Sequence, residues 1–483
     1  MMVFTCTLFL YMLRINLSII ILAMVEPVKS NNNSVFVPEC KKITGSLTNS
    51  SENVDHTSVV PDYGVRYPWD GKLQGIMLGA YFWGAVISAI PGGALAERFG
   101  PTRCTTISFV GSGVLTMVGP WTASLHPYLL IGSRFLIGVL GGVVYPCLHC
   151  LISRWAPPEE KGKFIGALMG ASLGTVVTWP LLGTVIEHLG WQWAFYGCGA
   201  LVLLWTFLWT MCVADSPDAH SRISEEERKF ILEKLSAVNQ SNIKKLPPYK
   251  AMALSIPFLA LIILHFGNLW GLFFLMTAGP NFMSSVLGFT LGHTGFLASL
   301  PYLARLIFGF VFGYLGDVIT RKGWMGKTTI RKSFVVFSHF LPGIFLFAQT
   351  MIGCDISWSI VLITMSLGMN GAATITNLHN SQDLAPNYAG TLYGIINAIG
   401  STTGFISPAI VGYLTAEHNG LDQWHIIFYI GGSVYIGCGI VFCIFGSGNV
   451  QPWNDPVPLV ENKNSSIPDG VENIAFDDIE KKL

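Results

Sequence analysis

The chain is 483 residues long, 51% hydrophobic and 12% charged, with a formal net charge of zero. A soluble domain carries about 25% charged residues, so this composition excludes an ordinary water-soluble globular protein. The balanced charge also offers no electrostatic case for a nucleic-acid partner.

Apolar runs of about 20 residues, each long enough to cross a hydrocarbon core of about 30 Å, recur along almost the whole chain. In chain order they predict spans at 2–25, 73–96, 104–124, 127–151, 164–187, 193–213, 252–278, 290–316, 332–353, 358–381, 391–415 and 425–446. The first run, Met1–Met24, is long for a signal-peptide core and has no basic stretch before it, so it reads as a span. The expected fold is an all-α membrane protein of twelve transmembrane helices in two six-helix halves, 1–213 and 251–446. A charged central loop, 214–250, separates them and carries an amphipathic helix from Ser224 to Leu235. The acidic tail at 447–483 is expected to be disordered. Ten cysteines, mostly inside spans, signal neither a metal site nor a redox pair, and the C-x-x-C of Cys147 and Cys150 reads as packing within an apolar helix.

Lys and Arg set the expected orientation. Arg98 and Arg103, then Arg154, Lys161 and Lys163, then Arg222 through Lys250, then Arg321 through Lys332, fill alternate loops. The short loops between spans 3–4, 5–6, 7–8, 9–10 and 11–12 contain neither residue type. Basic loops face the cytosol, which places both termini there. The polar loop 27–70 then faces outside or a lumen, where the sequons at Asn32 and Asn49 are glycosylation sites. The 10–11 loop is an exception, because 382–390 should be cytosolic and has no basic residue.

The halves echo each other. Gly92–Arg103 follows span 2 and Gly313–Lys332 follows span 8; each is a glycine-rich helix end, an acid, then a basic loop. Glu97, Arg98 and Asp317 are therefore candidate cytosolic gating residues. Two matching six-span halves describe a parallel-repeat transporter whose substrate sits between them.

Three arginines lie inside apolar spans with no carboxylate near the middle of those spans: Arg14, Arg134 and Arg305. A charge at the bilayer centre costs roughly 2.5–3.5 kcal/mol on insertion scales and marks a cavity, partner or wet pathway. An anion from solution is the obvious counter-charge. Arg14 lies too deep for easy snorkelling. Arg134 is a binding or gating candidate, and Arg305 fits helix-end or interhelical pairing better than substrate contact. Tyr81 and Tyr145 are candidate hydroxyl donors to the anion. Asn268, Asn380 and Asn397 are candidate amide ligands for sodium or the substrate, or bridges between helices. His149 is a possible proton site or a packed histidine. Gly162, Gly166, Gly170 and Gly174 put small residues on one face of span 5, for close helix packing.

The loop segment GGALAERFGPTR and the span 4 pattern Arg134-x-x-x-Gly138-x-x-Gly141-Gly142 resemble those of the major facilitator superfamily. Within it, YMLRINLS, GGVVYPCLHCLISRWAPPEEKGKF and NSQDLAPNYAGTLYGIINAIG resemble the anion:cation symporter family, which includes sialin, the vesicular glutamate transporters and the type I sodium–phosphate cotransporters. The flavour is closest to insect proteins named for inorganic phosphate cotransport. The resemblance implies that Arg14 is the span 1 arginine that takes the substrate anion and Arg134 the span 4 arginine tied to binding or coupling. The chain departs from the family pattern at three places. Proton-driven members carry Glu where this chain has Gly141; glutamate-transporting members carry Arg at the position of Asn268 and His at that of Leu78.

An enzyme is disfavoured: Gly326–Thr329 resembles the end of a P-loop, but Arg321 holds the required first glycine position. Expected, then, is a monomeric secondary transporter of a small anion, phosphate-like or organic, coupled to sodium, with no resident cofactor. Its membrane is the plasma membrane or a lysosomal or vesicular one. The alternatives are a proton-coupled, sialin-like carrier of acidic sugars and a non-transporting sensor on the same fold.

Overall fold

The computed structural model describes residues 1–26, 39–40, 62–156, 167–239 and 247–454. The sequons at Asn32 and Asn49, the segment holding Gly162 and Gly166, and the tail from 455 onward lie outside these residues. Twelve helical rods follow one another: α1 Met2–Met24, α2 Gly71–Phe99, α3 Pro101–Met117 continued by Gly119–Leu125, α4 Pro127–Trp155, α5 Gly170–Leu189 and α6 Trp191–Cys212. The second half is α7 Ile256–Val286, α8 Leu291–Lys322, α9 Lys327–Gln349, α10 Ile356–Leu384, α11 Pro386–Leu414 and α12 Leu421–Phe445. Among the described residues nine of these runs are long and apolar enough to cross a membrane, and α2 makes ten if its arms, bent by 60° next to Pro91, count as one span. The rods α3, interrupted at Val118, and α5 fall short of that measure. Large apolar side chains such as Trp83, Ile107, Leu204, Phe207 and Phe310 point outward. That is the surface a hydrocarbon solvent requires, with backbone polarity satisfied inside each helix.

Local chemistry fixes the helix ends. Asp70 caps α2, accepting from the Leu73 N–H at 2.8 Å, and Asp355 caps α10, accepting from Trp358 at 3.1 Å. α8 stops at Gly323, whose φ of 66° suits a residue without Cβ. Between the halves, the helix Glu225–Asn239 carries three acids in its first turn, and Arg228 pairs with Glu225 at 3.2 Å.

The rods meet across the halves as α5 with α8, α2 with α11 and α1 with α7. Helices joined by loops without Lys or Arg end on one side, here called the neutral side; the Lys/Arg-bearing loops mark the basic side. On the neutral side glycines let backbones touch. A Cβ at Gly71 would meet the backbone of Gly412 and Ala416, one at Gly75 the Pro408 carbonyl, and one at Gly183 the Leu291 carbonyl. Glu187 accepts from the Gly292 N–H across the seam at 2.8 Å. The crevice left there, lined by Gly75, Leu78, Thr277 and Pro408, has a volume of about 20 Å³, room for little more than one water. Towards the basic side, Gly93 of α2, Gly313 of α8 and Gly390 and Gly394 of α11 have no neighbouring atom within 4 Å of an added Cβ among the described residues. The halves touch closely on the neutral side, while these glycines towards the basic side face open space. Gly170 and Gly174 of the small-residue stripe lie against the backbone of α1 at Phe4 and Leu8.

One sequence reading needs correction. The cysteines do include a disulfide: Cys40 joins Cys354 across 314 positions. It links the loop after α1 to the short loop before α10. The neighbouring Glu39 accepts from the Leu421 N–H at 2.7 Å, at the start of α12. In the α2–α3 loop, the acid that does local work is Asp215, after α6, which accepts from the Thr102 N–H at 2.7 Å at the start of α3. Glu97 and Asp317 are exposed and make no ion pair among the described residues.

Candidate anion-binding site

Arg14 sits midway along α1, and its guanidinium carbon lies over four rings: Phe82 and Phe273 at 4.6 Å, Tyr11 at 5.2 Å and Tyr81 at 5.4 Å. Three of these rings come from α1 and α2. The fourth, Phe273, comes from α7, so the cage closes across the two halves. Phe82 and Phe273 pack with ring centroids 4.8 Å apart and planes tilted by 59°, at the foot of the neutral-side seam. Ring faces attract the cation but supply no acceptor. Among the described residues Arg14 makes no hydrogen bond or ion pair, and its buried Nε has no partner.

Arg134 is only 2% exposed. It donates to the Leu13 carbonyl at 3.1 Å, to Asn16 Oδ1 at 2.9 Å and to the Arg14 carbonyl at 2.9 Å. Asn16 in turn reaches Cys198 on α6 at 3.6 Å. Arg134 thus knits α4 to α1 and fixes the turn from which Arg14 projects. Tyr81 lies beneath both arginines, its ring 5.7 Å from Arg134. Its hydroxyl occupies the space beside Gly141: a Cβ there would meet it at 2.5 Å. A tyrosine from the neighbouring helix thus fills the space that a side chain at position 141 would take. Tyr145 lies near Tyr11 and in the field of Arg14 and of Tyr393 on α11.

The C-terminal half answers with a polar network that the sequence did not reveal. Arg305 Nε donates to Asn370 Oδ1 at 3.1 Å, and Asn370 Nδ2 donates to the Ser338 carbonyl at 3.0 Å. Ser338 Oγ meets His339 Nδ1 at 2.8 Å, and His339 Nε2 meets the Leu264 carbonyl at 2.9 Å. A carbonyl can only accept, so Nε2 carries the proton and Nδ1 accepts from the serine. Thr376 donates to Asn377 Oδ1 at 2.8 Å, and Asn377 Nδ2 lies 3.3 Å from His265 Nδ1. Ser338, His339, Thr376 and Asn377 all sit on widened π turns, Val336–Phe340 and Thr374–Leu378, a local geometry frequent at functional sites.

Of the residues singled out from sequence, Arg14, Arg134, Tyr81 and Tyr145 come together. Asn397 approaches the ring of His265, and Asn268, one turn further along α7, is buried with its Oδ1 unpartnered among the described residues. Asn380 belongs elsewhere: near the basic end of α10 it donates to the Ser447 carbonyl at 2.8 Å, tying α10 to the segment after α12. His149 is exposed on the last turns of α4, and Glu97, Arg98 and Asp317 stand on the basic-side surface. Among the described residues no cluster of three or more His, Cys, Asp or Glu could hold a metal ion.

The Major Facilitator Superfamily profile matches residues 3–408. Human sialin is 34% identical over 447 residues, covering 92% of this chain and 87% of that protein. A Drosophila melanogaster protein named "Putative inorganic phosphate cotransporter" is 32% identical over 464 residues, covering 92% and 84%. The crystal structure of a D-xylose–proton symporter superposes with a TM-score of 0.61 at 13% identity, covering 93% of this chain and 98% of that one. These relatives are carriers rather than enzymes, and the protein is a multi-pass membrane transporter of the major facilitator superfamily, within its anion:cation symporter family.

Proposed function

We propose that the protein carries a small anion, inorganic phosphate or an organic acid, together with sodium, by alternating access. One observation carries the reading: Arg14, caged by rings from both halves, is a cation with no counter-charge at the point where the halves meet. An anion supplies what the protein withholds. Arg134 positions Arg14 through its carbonyl, and Tyr81 and Tyr145 shape the pocket. Phe82 and Phe273 close it toward the neutral side, and the gap on the basic side is the exit. Glu97, Arg98 and Asp317 stand at the mouth of that exit as gating groups. No carboxylate lies near the middle of the arginine-bearing spans, and Gly141 holds the family's glutamate position, which supports sodium over proton as coupling ion. The orientation follows from the basic loops, with termini in the cytosol. The disulfide on the neutral side agrees, since disulfides persist in oxidising compartments.

A second reading, proton-coupled transport of acidic sugars, draws on the sialin relative and on the buried histidines His265 and His339. Uptake of radiolabelled phosphate and of a carboxylate panel into proteoliposomes separates the two. Accumulation that follows a sodium gradient supports the first; accumulation that follows a pH gradient with sodium absent replaces it with the second.

A further inference from the structure

We propose that a groove between α8 and α9 holds an anionic phospholipid from the leaflet on the basic side, with its acyl chain along the groove and its phosphate between Lys322 and Lys327. The proposal concerns the outer surface of the C-terminal half and does not depend on which substrate the protein carries.

The groove has a volume of about 260 Å³, and its walls are apolar: Phe312, Leu315 and Ile319 of α8 stand against Ile330, Phe334 and Phe337 of α9. The Phe312 ring lies 5.1 Å from that of Phe337 and 6.1 Å from that of Phe334, and Phe337 belongs to the widened turn Val336–Phe340. Leu315, Met325 and Phe337, all in the lining, are exposed. On a membrane-spanning helix, exposed apolar surface of this kind meets hydrocarbon.

The spacing of the lining says what lies at the groove's mouth. On α8 the wall positions 312, 315 and 319 follow one helix face, and the next position on that face is Lys322. On α9 the wall positions 330, 334 and 337 follow one face, and the position before them on that face is Lys327. Both apolar stripes thus end in a lysine, at the end of the groove where the turn 323–326 joins the helices on the basic side. Both lysines are exposed, and neither makes an ion pair among the described residues. Lys322 Nζ lies 4.7 Å from the ring of Trp324, itself exposed next to Met325 of the lining. Trp and Lys are the residues that mark the level where hydrocarbon gives way to head groups.

The charge at this mouth has one sign. From Arg321 to Lys332 the chain has five Lys or Arg and no acid. The neighbouring acids are turned elsewhere. Asp383 is engaged by Arg331 at 2.7 Å, and Asp317 is two positions from both Leu315 and Ile319, which puts it on the far face of α8. A zwitterionic head group would bring an ammonium that nothing there accepts. A head group of net negative charge meets two ammonium groups without that cost. A soluble anion would use the lysines and leave the apolar trough uncovered; a phospholipid uses both.

The test measures binding of dioleoyl phosphatidylserine and dioleoyl phosphatidylcholine to the purified full chain in detergent micelles by native mass spectrometry. Expected is a preference for phosphatidylserine of at least about fivefold, the worth of one lysine at a membrane surface. Lys322→Gln and Lys327→Gln should each lower phosphatidylserine binding by about fivefold and leave phosphatidylcholine within about twofold. Ser333→Trp, which fills the groove from its exposed wall without touching a charge, should weaken both lipids; Leu315→Trp takes its place if that variant misfolds. Arg222→Gln combined with Lys229→Gln removes charge from the central loop instead and should leave the preference unchanged. The proposal is overturned if the protein shows no preference, or if the central-loop variant loses as much as the two lysine variants, which would reduce the effect to the general field of the basic side. It is equally overturned if the filled groove binds lipid as before, or if excess inorganic phosphate displaces the phospholipid, which would make the lysines a site for free anions.

Discussion

In the N-terminal half, polar chemistry is concentrated in a few residues set among aromatic rings: Arg14 in its cage, with Arg134 behind it dividing its donors among three acceptors on α1. In the C-terminal half it is spread through a chain of neutral partners, Asn370, Ser338, His339, Thr376, Asn377 and His265, that ends at the single guanidinium of Arg305. The same fold thus supports a cation in two ways. Ring faces attract it without competing for the ligand, whereas amides and hydroxyls fix its direction by hydrogen bonds. The first arrangement leaves all of Arg14's donors for a substrate; the second gives Arg305 a fixed aim at the cost of one donor.

The sharpest break in this comparison comes from Arg14→Ala. It should reduce uptake of every anion by about 30-fold or more with normal expression, because the pocket loses the one charge that the cage was built around. Uptake near normal would mean that the aromatic cage is only a packed core. Next comes Arg134→Leu. It leaves Asn16 Oδ1 without its donor, a loss of roughly 1–3 kcal/mol, and removes the second hydrogen bond to the Leu13 and Arg14 carbonyls, which keep their helical ones. The midpoint of thermal aggregation in detergent should fall clearly for this variant and hardly move for Arg305→Gln. Equal falls would erase the distinction between the fully engaged arginine and the singly engaged one. Gly141→Ala puts a methyl group against the Tyr81 hydroxyl, and overpacking of this kind costs about 1–3 kcal/mol. Since Tyr81 lies under Arg14, KM should rise while the protein stays folded; a change in stability alone would detach Tyr81 from the site. The smallest effect belongs to Phe273→Ala, which removes one ring contact worth about 0.5–2 kcal/mol and the C-terminal half's share of the cage. KM should rise a few-fold, and a cysteine-free variant with a reporter thiol near Arg14 should label faster from the neutral side.

Much of this architecture could be read from the chain because a membrane simplifies the code. Twenty apolar residues mean a rod, and alternating basic loops order the rods. Arg14 stood out for the same reason, as a charge where none belongs. The C-terminal network did not, since Ser338, Thr376 and Asn377 are individually ordinary inside a span, and π turns shift the register that a 3.6-residue period assumes. A signal was present: the stretch 370–381 places Asn370, Thr374, Thr376, Asn377, His379, Asn380 and Ser381 in one predicted span, a polar density found in none of its neighbours. Asn380, chosen from that stretch, turned out to face the wrong partner, because residue type gives no depth along the helix. Arg305 was read as an interhelical pairing residue, and it does pair across helices, with Asn370 on α10. The Cys40–Cys354 bond lay beyond reach, as nothing local connects two positions 314 residues apart.

That bond changes what kind of object the polypeptide is. Covalently it is a ring with two tails: the ring holds α2 through α9, one tail is α1 and the other is α10 through α12. This division cuts across the two six-helix halves, so Arg14 lies on a tail and Arg305 within the ring. A protease that opened the helix-bearing linker between the halves would turn one chain into two and still leave one molecule. Only reductant would then let the pieces part, and until it is added a carrier nicked in this way should stay joined through its disulfide.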